Sequence, residues 1–275
     1  MEKNFSNNFY YSRIFDDEIQ INAYFGDEKE IIIPEKIEGM FVTELKSIKK
    51  FQGIFQKPQN VKFVMLPQSL RNIGYGAFAD CVRLQHIEFP DSLITIDDYS
   101  FVNCINLPNF RFPNSLKRIG KAAFWNCKNL TEIELPDSLI FMDRGIFGYC
   151  ENLQSVVFPD SVTEVSDYEF HVCKQLKSVR FPSLLVCINE KAFSFCNELK
   201  NINLPKSTKR IENFAFYGCD KLEEVFLPDS IQFIGGYAFR FCRNLKTVEL
   251  NEKICYPDNV FESYTNLVFR QGDHL

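Results

Sequence analysis

The sequence predicts a solenoid of stacked coils, in which parallel β-strands alternate with short helical or 3-10 turns in a right-handed curved superhelix. Four residue types recur every 23 positions, each repeat contains one strand-like alternation, and the period runs unbroken from Pro67 to Leu250. A repeat this short can bury its apolar side only against its neighbours, which gives about ten coils. The recurring residues are Pro67, Pro90, Pro113, Pro136, Pro159, Pro182, Pro205 and Pro228; Phe78, Phe101, Phe124, Phe147, Phe170, Phe193, Phe216 and Phe239; Cys81, Cys104, Cys127, Cys150, Cys173, Cys196, Cys219 and Cys242; and Leu84, Leu107, Leu130, Leu153, Leu176, Leu199, Leu222 and Leu245.

The strand of each coil is followed by a corner. Ile133 and Leu135 alternate with charged residues, which indicates a strand with one buried face. Pro136 ends this strand because proline has no N–H to donate to a sheet. Ser138 follows, and we expect its hydroxyl to bond nearby backbone groups of the corner. A short second extended segment then leads to the turn.

The turn contains a bend and then three inward residues. Six of the eight positions equivalent to Gly120 hold Gly, Asp or Asn, which tolerate positive φ, so we expect a tight bend there. Phe124, Cys127 and Leu130 are three residues apart. In a short helical or 3-10 turn such residues lie on one side, so all three are expected to point into the core. Stacked coils would then form a continuous column of phenylalanines.

The repeats predict a single domain over residues 1–275 with atypical ends. Residues 1–30 are expected to form a cap hairpin, and residues 31–66 a first repeat with an insertion near Gly39. Eight regular repeats occupy residues 67–250, and residues 251–275 form a degenerate cap. Caps are needed because an open solenoid end exposes unpaired edges and core.

Composition narrows the class of protein and the compartment. The net charge is −5 with both signs interspersed, and no basic stripe indicates nucleic-acid binding. The chain has no apolar run long enough to insert into a membrane, and its first residues lack a signal peptide pattern. As written, the sequence predicts a cytoplasmic protein. If a leader was removed, the alternative is an extracellular or cell-surface location.

Eight of the ten cysteines occupy one repeat position, which favours buried thiols over disulfides. Stacked coils lie close enough for a bridge, but equivalent residues have parallel side chains that do not face each other. No CxxC pair or matching histidine spacing indicates zinc, so neither a metal nor a cofactor is expected. We expect a thiol reagent to reach mainly the two off-register residues, Cys187 and Cys255.

The repeat resembles the BspA-like leucine-rich repeat family of bacterial and protist surface proteins. The resemblance rests on units such as Phe89-Pro-Asp-Ser-Leu-Ile-Thr-Ile96 and Gly120-Lys-Ala-Ala-Phe-Trp-Asn-Cys-Lys-Asn-Leu130, and covers roughly residues 31–250. It implies a leucine-rich-repeat solenoid of parallel strands that binds other macromolecules, including host matrix proteins and other cells in some members. The chain departs from the pattern at Pro108, which enters a strand position, at Ser183-Leu184, and at Thr208, which replaces leucine.

Outward residues of the first strand in each coil are the candidate partner-binding residues. They lie in two columns beside the buried strand residue, where the repeat leaves them free to vary. An outward Phe226 would suit an interface anchor. The alternative is that Glu88, Arg111 and Glu134 form cross-strand ion pairs. The candidate residues are Arg111, Glu132, Glu134, Val157, Arg180, Glu224, Phe226 and Glu249.

A second candidate surface is the exposed part of the second segment, where the alternative is packing against the turns. Its apolar residues are Ile94, Phe141, Val186 and Phe233. No nucleophile–base pair or phosphate-binding loop is recognisable, and the outward Ser155 and Ser178 have no histidine beside them, so no enzyme is predicted. The function predicted is a non-catalytic scaffold that binds a protein or other macromolecule on its sheet face. The alternatives are a cell-surface adhesin or a structural spacer within a larger complex.

Overall fold

The computed structural model describes residues 4–47 and 53–270. Residues 1–3, 48–52 and 271–275, which include parts of both predicted caps and of the first repeat, lie outside the described residues. Each of the two units described below is a parallel β-solenoid, as the repeat predicts; the described residues form about 11 turns, where about ten coils were expected, and contain almost no helix. One 3-10 helix covers Pro58–Asn60. The strands are β1 (Asn4–Ser6), β2 (Phe9–Phe15), β3 (Glu18–Tyr24), β4 (Glu30–Ile32), β5 (Lys36–Ile37), β6 (Met40–Leu45), β7 (Phe63–Met65), β8 (Asn72–Ile73), β9 (His86–Ile87), β10 (Thr95–Ile96), β11 (Arg118–Ile119), β12 (Glu132–Glu134), β13 (Phe141–Met142), β14 (Ser155–Val157), β15 (Glu164–Val165), β16 (Ser178–Arg180), β17 (Cys187–Ile188), β18 (Asn201–Asn203), β19 (Arg210–Ile211), β20 (Glu224–Phe226), β21 (Phe233–Ile234), β22 (Thr247–Asn251) and β23 (Asn266–Arg270).

The chain divides into two compact units, the first comprising Met1–Leu130 with Ser138–Phe147 and the second Thr131–Asp137 with Gly148–Leu275. In the first unit, one sheet has the strand order β1-β2-β3-β6-β8-β10-β11-β13 and another the order β4-β7-β9. In the second unit, β12-β14-β16, β18-β20 and β22-β23 carry the first strand of each coil, and β15-β17-β19-β21 carries the second. The regular coils of both units therefore pair like strand with like strand.

Three antiparallel hairpins precede the regular coils of the first unit. Strands β1 and β2 form the first, with Ser6 opposite Phe9, and β2 and β3 form the second, with Phe9 opposite Tyr24. Strands β5 and β6 form the third, at the position of the predicted insertion. Its two loop residues, Glu38 and Gly39, both have positive φ, as a type I′ turn requires.

The repeated phenylalanines stack face to face within each unit. Phe78 and Phe101 have ring centroids 4.9 Å apart and ring planes 3° from parallel. In the second unit, Phe193 lies 5.4 Å from Phe170 and 5.3 Å from Phe216. All eight repeated phenylalanine side chains are essentially inaccessible to solvent. Because no coil can enclose its own ring, the core exists only between coils.

The turn that carries these phenylalanines differs from the expected helical turn. Backbone N–H groups alternate in direction along it: Ala77 donates to Gly74 within its own coil at 3.1 Å, and Phe78 donates to Ser100 of the next coil at 2.7 Å. Gly76 and Asp80 have φ values of 59° and 60°. A helix would direct every N–H along its own axis, so it would leave adjacent coils without these bonds. The left-handed residues produce the alternation.

The predicted position of positive φ is wrong by two residues. Gly120 and Gly235 do not have a positive φ; the left-handed residues are instead at positions equivalent to Gly76, and again four residues later. Gly120 permits close approach, since a Cβ there would lie 2.4 Å from the backbone nitrogen of Asp98. The Gly, Asp and Asn pattern therefore marked the corner without locating its left-handed residue.

Two polar groups connect successive coils. Cys104 Sγ donates to the carbonyl of Phe78 at 3.1 Å, and the equivalent bond from Cys196 to Phe170 is 3.3 Å. In six repeats the serine two residues after the proline also donates to a carbonyl of the preceding coil, as Ser138 Oγ does to Leu116 at 2.6 Å. The expectation that this serine satisfies its own corner is wrong. Both bonds satisfy a buried or half-buried carbonyl in the preceding coil.

All ten cysteines are free thiols, and nine of them are buried. Cys187 is among the buried ones, so the expectation that a reagent would reach it is wrong. It begins a second-segment strand, with only 6% of its surface exposed. Burial, followed by the charges of Glu212 and Glu164, raises the pKa of Cys187 to about 12. Cys255 is exposed.

Phe193→Ala is expected to lower the free energy of unfolding by about 3–5 kcal/mol, because it removes a ring stacked on both sides and leaves a cavity. Urea denaturation of the full chain measures the change. Phe15→Ala is the control, since Phe15 is 65% exposed and exposed substitutions usually change stability by less than about 0.5 kcal/mol. Equal effects of the two variants would contradict a structural role for the stacked column.

Thr208→Val is expected to raise the free energy of unfolding by about 1–2 kcal/mol. Thr208 is fully buried, and its Oγ1 has no hydrogen-bond partner among the described residues. Valine has nearly the same shape and no hydroxyl to desolvate. Thr247→Val, on an exposed strand position, is the matched control. A lower urea midpoint for Thr208→Val than for the unaltered chain would show that the hydroxyl stabilises the fold.

Thiol labelling of the native chain with a maleimide is expected to modify Cys255 and spare the other nine cysteines. The reactive species is the thiolate, and burial disfavours it at Cys187 and at the repeated cysteines. Peptide mass spectrometry before and after addition of urea identifies the labelled positions. Labelling of Cys187 as fast as Cys255 in the native chain would show that its strand opens.

Candidate functional site

The exposed sheet face of the second unit is formed by the first strands of its coils. Ile133, Val156, Ile202 and Val248 occupy the strand centres and are buried. Side chains alternate between the two faces of a strand, so the residues on either side of each centre point outward. These outward residues are defined here as the sheet face, and they include seven of the eight candidate partner-binding residues.

Parallel pairing places several candidates in one row. Glu134, Val157 and Arg180 are directly opposite one another on strands β12, β14 and β16. Glu132 is on the same face, opposite Ser155. The row therefore places an apolar residue between an acidic and a basic one.

Arg180 also affects an acidic neighbour at the end of its strand. The pKa of the Asp160 carboxyl is lowered, chiefly because the backbone N–H of Ser183 donates to it at 2.8 Å, and further by the positive charge of Arg180. Asp160 is therefore held in its charged form, and this end of the row contains both signs of charge.

Phe226 is the largest exposed apolar residue of the sheet face. It lies opposite Asn203 on the neighbouring strand, and 58% of its surface is exposed. Phe226 lines two shallow clefts of about 500 and 380 Å³. Glu224 and Glu249 line the smaller cleft. An exposed ring between clefts with charged rims has the anatomy of an interface anchor.

Arg270 lines both clefts and was missed by the sequence analysis. Its guanidinium donates to the carbonyl of Leu227 at 2.7 Å and lies 3.5 Å from the carboxylates of Asp229 and Glu249. The last coil is shorter than the others, since Thr247 is opposite Asn266, only 19 residues later. The 23-residue period therefore did not predict on which strand position Arg270 lies. The alternating Asn266–Arg270 segment was its one signal in the sequence.

Arg111, the eighth candidate, belongs to the first unit and is exposed, but it is not in a strand. Pro108 lies before it and has no N–H, so the expected strand does not form. The alternative of an ion pair between Glu88 and Arg111 is not observed among the described residues; the carboxylate of Glu88 is instead 3.7 Å from the His86 imidazole.

The first unit carries apolar outward residues that the sequence analysis did not select. Ile32 and Met65 are opposite each other on β4 and β7, with 65% and 50% of their surfaces exposed. Beside them, the rings of Phe63 and His86 stack at 4.6 Å. The sequence Ile31-Ile-Ile33 before Pro34 could have revealed this surface. If Ile31 and Ile33 face the core of a strand, Ile32 between them must point outward.

The second candidate surface is partly covered by arginines. Phe141 is 47% exposed in the first unit, and the Arg118 guanidinium lies 5.3 Å from its ring centroid. In the second unit, Arg210 covers Phe233 at 4.7 Å. These cation–π contacts explain why the two rings lie at the surface, and no binding partner is needed to account for them.

One histidine–serine pair invites a catalytic interpretation that its burial opposes. His171 Nδ1 lies 2.6 Å from Ser194 Oγ, which also donates to the carbonyl of Lys191. Burial, aided by the charge of Lys191, lowers the pKa of His171. Ser194 is only 1% exposed, so no substrate can reach it. Within residues 4–47 and 53–270 no cluster of metal-ligating side chains occurs, and no helix has the length and apolarity needed to cross a membrane.

The comparisons with known proteins agree on a family. The model of the "BspA type Leucine rich repeat region" matches residues 46–177 and 163–269. The crystal structure of a T. pallidum leucine rich repeat protein is similar at 30% identity and a TM-score of 0.63, covering 72% of this chain and 91% of that one. A leucine rich cell surface protein from Faecalibacterium prausnitzii shares the fold at 19% identity and a TM-score of 0.52, covering 99% and 96%. No curated protein matches the sequence significantly. The family model spans most of the repeats described above, and the chain belongs to the BspA type leucine rich repeat family.

Proposed function

We propose that this chain is a non-catalytic scaffold that binds a protein partner on the sheet face of its second unit. The observation that carries the proposal is Phe226, a large ring 58% exposed at a strand end between two clefts. Desolvating such a ring supplies much of the free energy of many protein interfaces. BspA type repeat proteins are generally non-enzymatic, which is consistent with this assignment.

The charges of the sheet face would select the partner. Glu132, Glu134 and Arg180 lie at one end of the face and Glu224 and Glu249 near the other, with both signs exposed. Such a distribution favours a partner of complementary mixed charge over a polyanion such as nucleic acid. Several strands contribute to the face, which suits an extended macromolecule better than a small substrate. Arg111 of the first unit remains a proposed contact.

The test is the double variant Arg180→Glu with Phe226→Ser. We expect partners captured by crosslinking to the full chain in its source cell to be lost or weakened at least about tenfold, since removing an anchor typically costs 2 kcal/mol or more. Ile140→Ser is the matched control, because Ile140 is 80% exposed in the second segment of the first unit.

Circular dichroism establishes that both variants remain folded. If every partner is captured equally by the folded double variant and by the unaltered chain, the sheet face is not the binding surface. Loss of the same partners in Ile140→Ser would point to the other sheet.

A further inference from the structure

The second unit exposes a cluster of aromatic rings on its turns, away from the sheet face strands. Tyr217 contacts Phe195 at 5.4 Å, Phe241 at 5.1 Å and Phe214 at 5.5 Å, and Phe214 stacks on Tyr237 at 5.0 Å. Phe195, Tyr237 and Phe241 each expose at least 40% of their surface. These five residues are called the aromatic turn face.

Four of these rings occupy backbone positions that disfavour them. Phe195, Phe214, Tyr237 and Phe241 have φ values of 59° to 60°, in the left-handed region where side chains other than Gly, Asn and Asp are strained. The fold does not require a strained residue in every coil, since the first unit fills most of the equivalent positions with residues that tolerate left-handed φ, the exceptions being Tyr99 and Ala122; the tolerant residues are Gly76, Gly145, Asp80, Asn103 and Asn126. Strained residues that persist in this way are typical of functional surfaces.

The Asn103 and Asn126 amides show what the first unit does at the same place. Asn126 donates to Asn103 at 2.8 Å, and Asn103 donates to Asp80 at 2.8 Å. This polar ladder connects the coils without any exposed ring. Phe195 and Phe241, which occupy the positions of this ladder in the second unit, are therefore not needed to connect the coils.

The charged groups at the aromatic turn face are already paired. Lys191 lies over the Phe214 ring at 5.4 Å, and its ammonium is 3.1 Å from Glu190. Arg240 lies near the Phe241 ring and 3.2 Å from Glu262. The face therefore offers rings but no unpaired charge, and its electrostatic complement is an uncharged partner.

The spacing of the rings selects the conformation of that partner. Phe195 and Phe241 are two coils apart, which is about 9.5 Å at the usual strand spacing. A polyproline II helix has three residues per turn and rises about 9.3 Å in that turn, with backbone carbonyls that have no internal bonds. A segment along the coils would present the same side to both rings, and the hydroxyls of Tyr217 and Tyr237 could donate to its carbonyls. Aromatic-lined surfaces recognise proline-rich segments in this way.

We propose that the aromatic turn face binds an uncharged, proline-rich segment in the polyproline II conformation, independently of the partner proposed for the sheet face.

The test uses the full chain and a fluorescein-labelled decaproline amide, with a glycine–serine decapeptide as the control peptide. Fluorescence anisotropy is expected to show saturable binding of decaproline, at least about tenfold tighter than binding of the control. Because no charge is involved, the affinity is expected to change little between low and high salt. Equal binding of the two peptides, or an affinity lost in high salt, would overturn the proposal.

The decisive variant is Phe195→Asn with Phe241→Asn. Asparagine tolerates left-handed φ and occupies the equivalent positions in the first unit, so the thermal midpoint is expected to be unchanged or raised. Decaproline affinity is expected to fall at least about tenfold, whereas Phe15→Asn, which changes an exposed ring of the first unit, leaves it unchanged.

Unaltered decaproline affinity in the folded double variant would overturn the proposal. So would displacement of decaproline by an uncharged oligosaccharide such as cellohexaose, which would identify a sugar-binding surface. Sedimentation that shows self-association of the native chain, abolished in the double variant, would instead assign the face to a second copy.

Discussion

Hydrogen bonding between successive coils is the constraint on which the rest of the structure depends. Along each turn, alternate N–H groups bond within the coil and to the next coil, as Ala77 and Phe78 do. The alternation fixes the left-handed residues and excludes a helix. It also brings equivalent side chains together, so the phenylalanine rings stack, and the Sγ atoms of five repeated cysteines donate to a carbonyl of the preceding coil. A coil removed from its neighbours would lose its core and these hydrogen bonds together.

The same constraint leaves two kinds of position free to vary. One is the outward residue of each first strand, which makes no contribution to the core, and the other is the side chain on each left-handed turn residue. In the second unit Phe226 occupies the first kind and Phe195 the second, and both are exposed. The same repeated backbone therefore exposes two separate surfaces. The binding specificity of each surface depends on residues that the repeat leaves variable.

The candidate site was predictable where the repeat holds and was missed where it breaks. Val157, Arg180 and Phe226 follow from strand alternation, since the residue beside a buried centre must face outward. The expected strand position of Arg111 was wrong, because Pro108 prevents the strand that would have oriented its side chain. Arg270 was missed because the last coil is shorter, so its position depends on pairing with β22. Cys187 was expected to be exposed because it lies outside the repeated cysteine position, but the packing of its own strand buries it.

The sequence by itself determined the period, the parallel stacking of strands and the identity of the inward residues, because these follow from local alternation and from repetition. Only the tertiary structure decided the sign of φ along the turn and the destination of each hydrogen bond. Ser138, for example, bonds the carbonyl of Leu116, 22 residues earlier. The sequence pattern could not distinguish this distant carbonyl from the backbone acceptors in the serine's own corner. Contacts between coils join residues distant in sequence, so their geometry exists only once the coils are stacked.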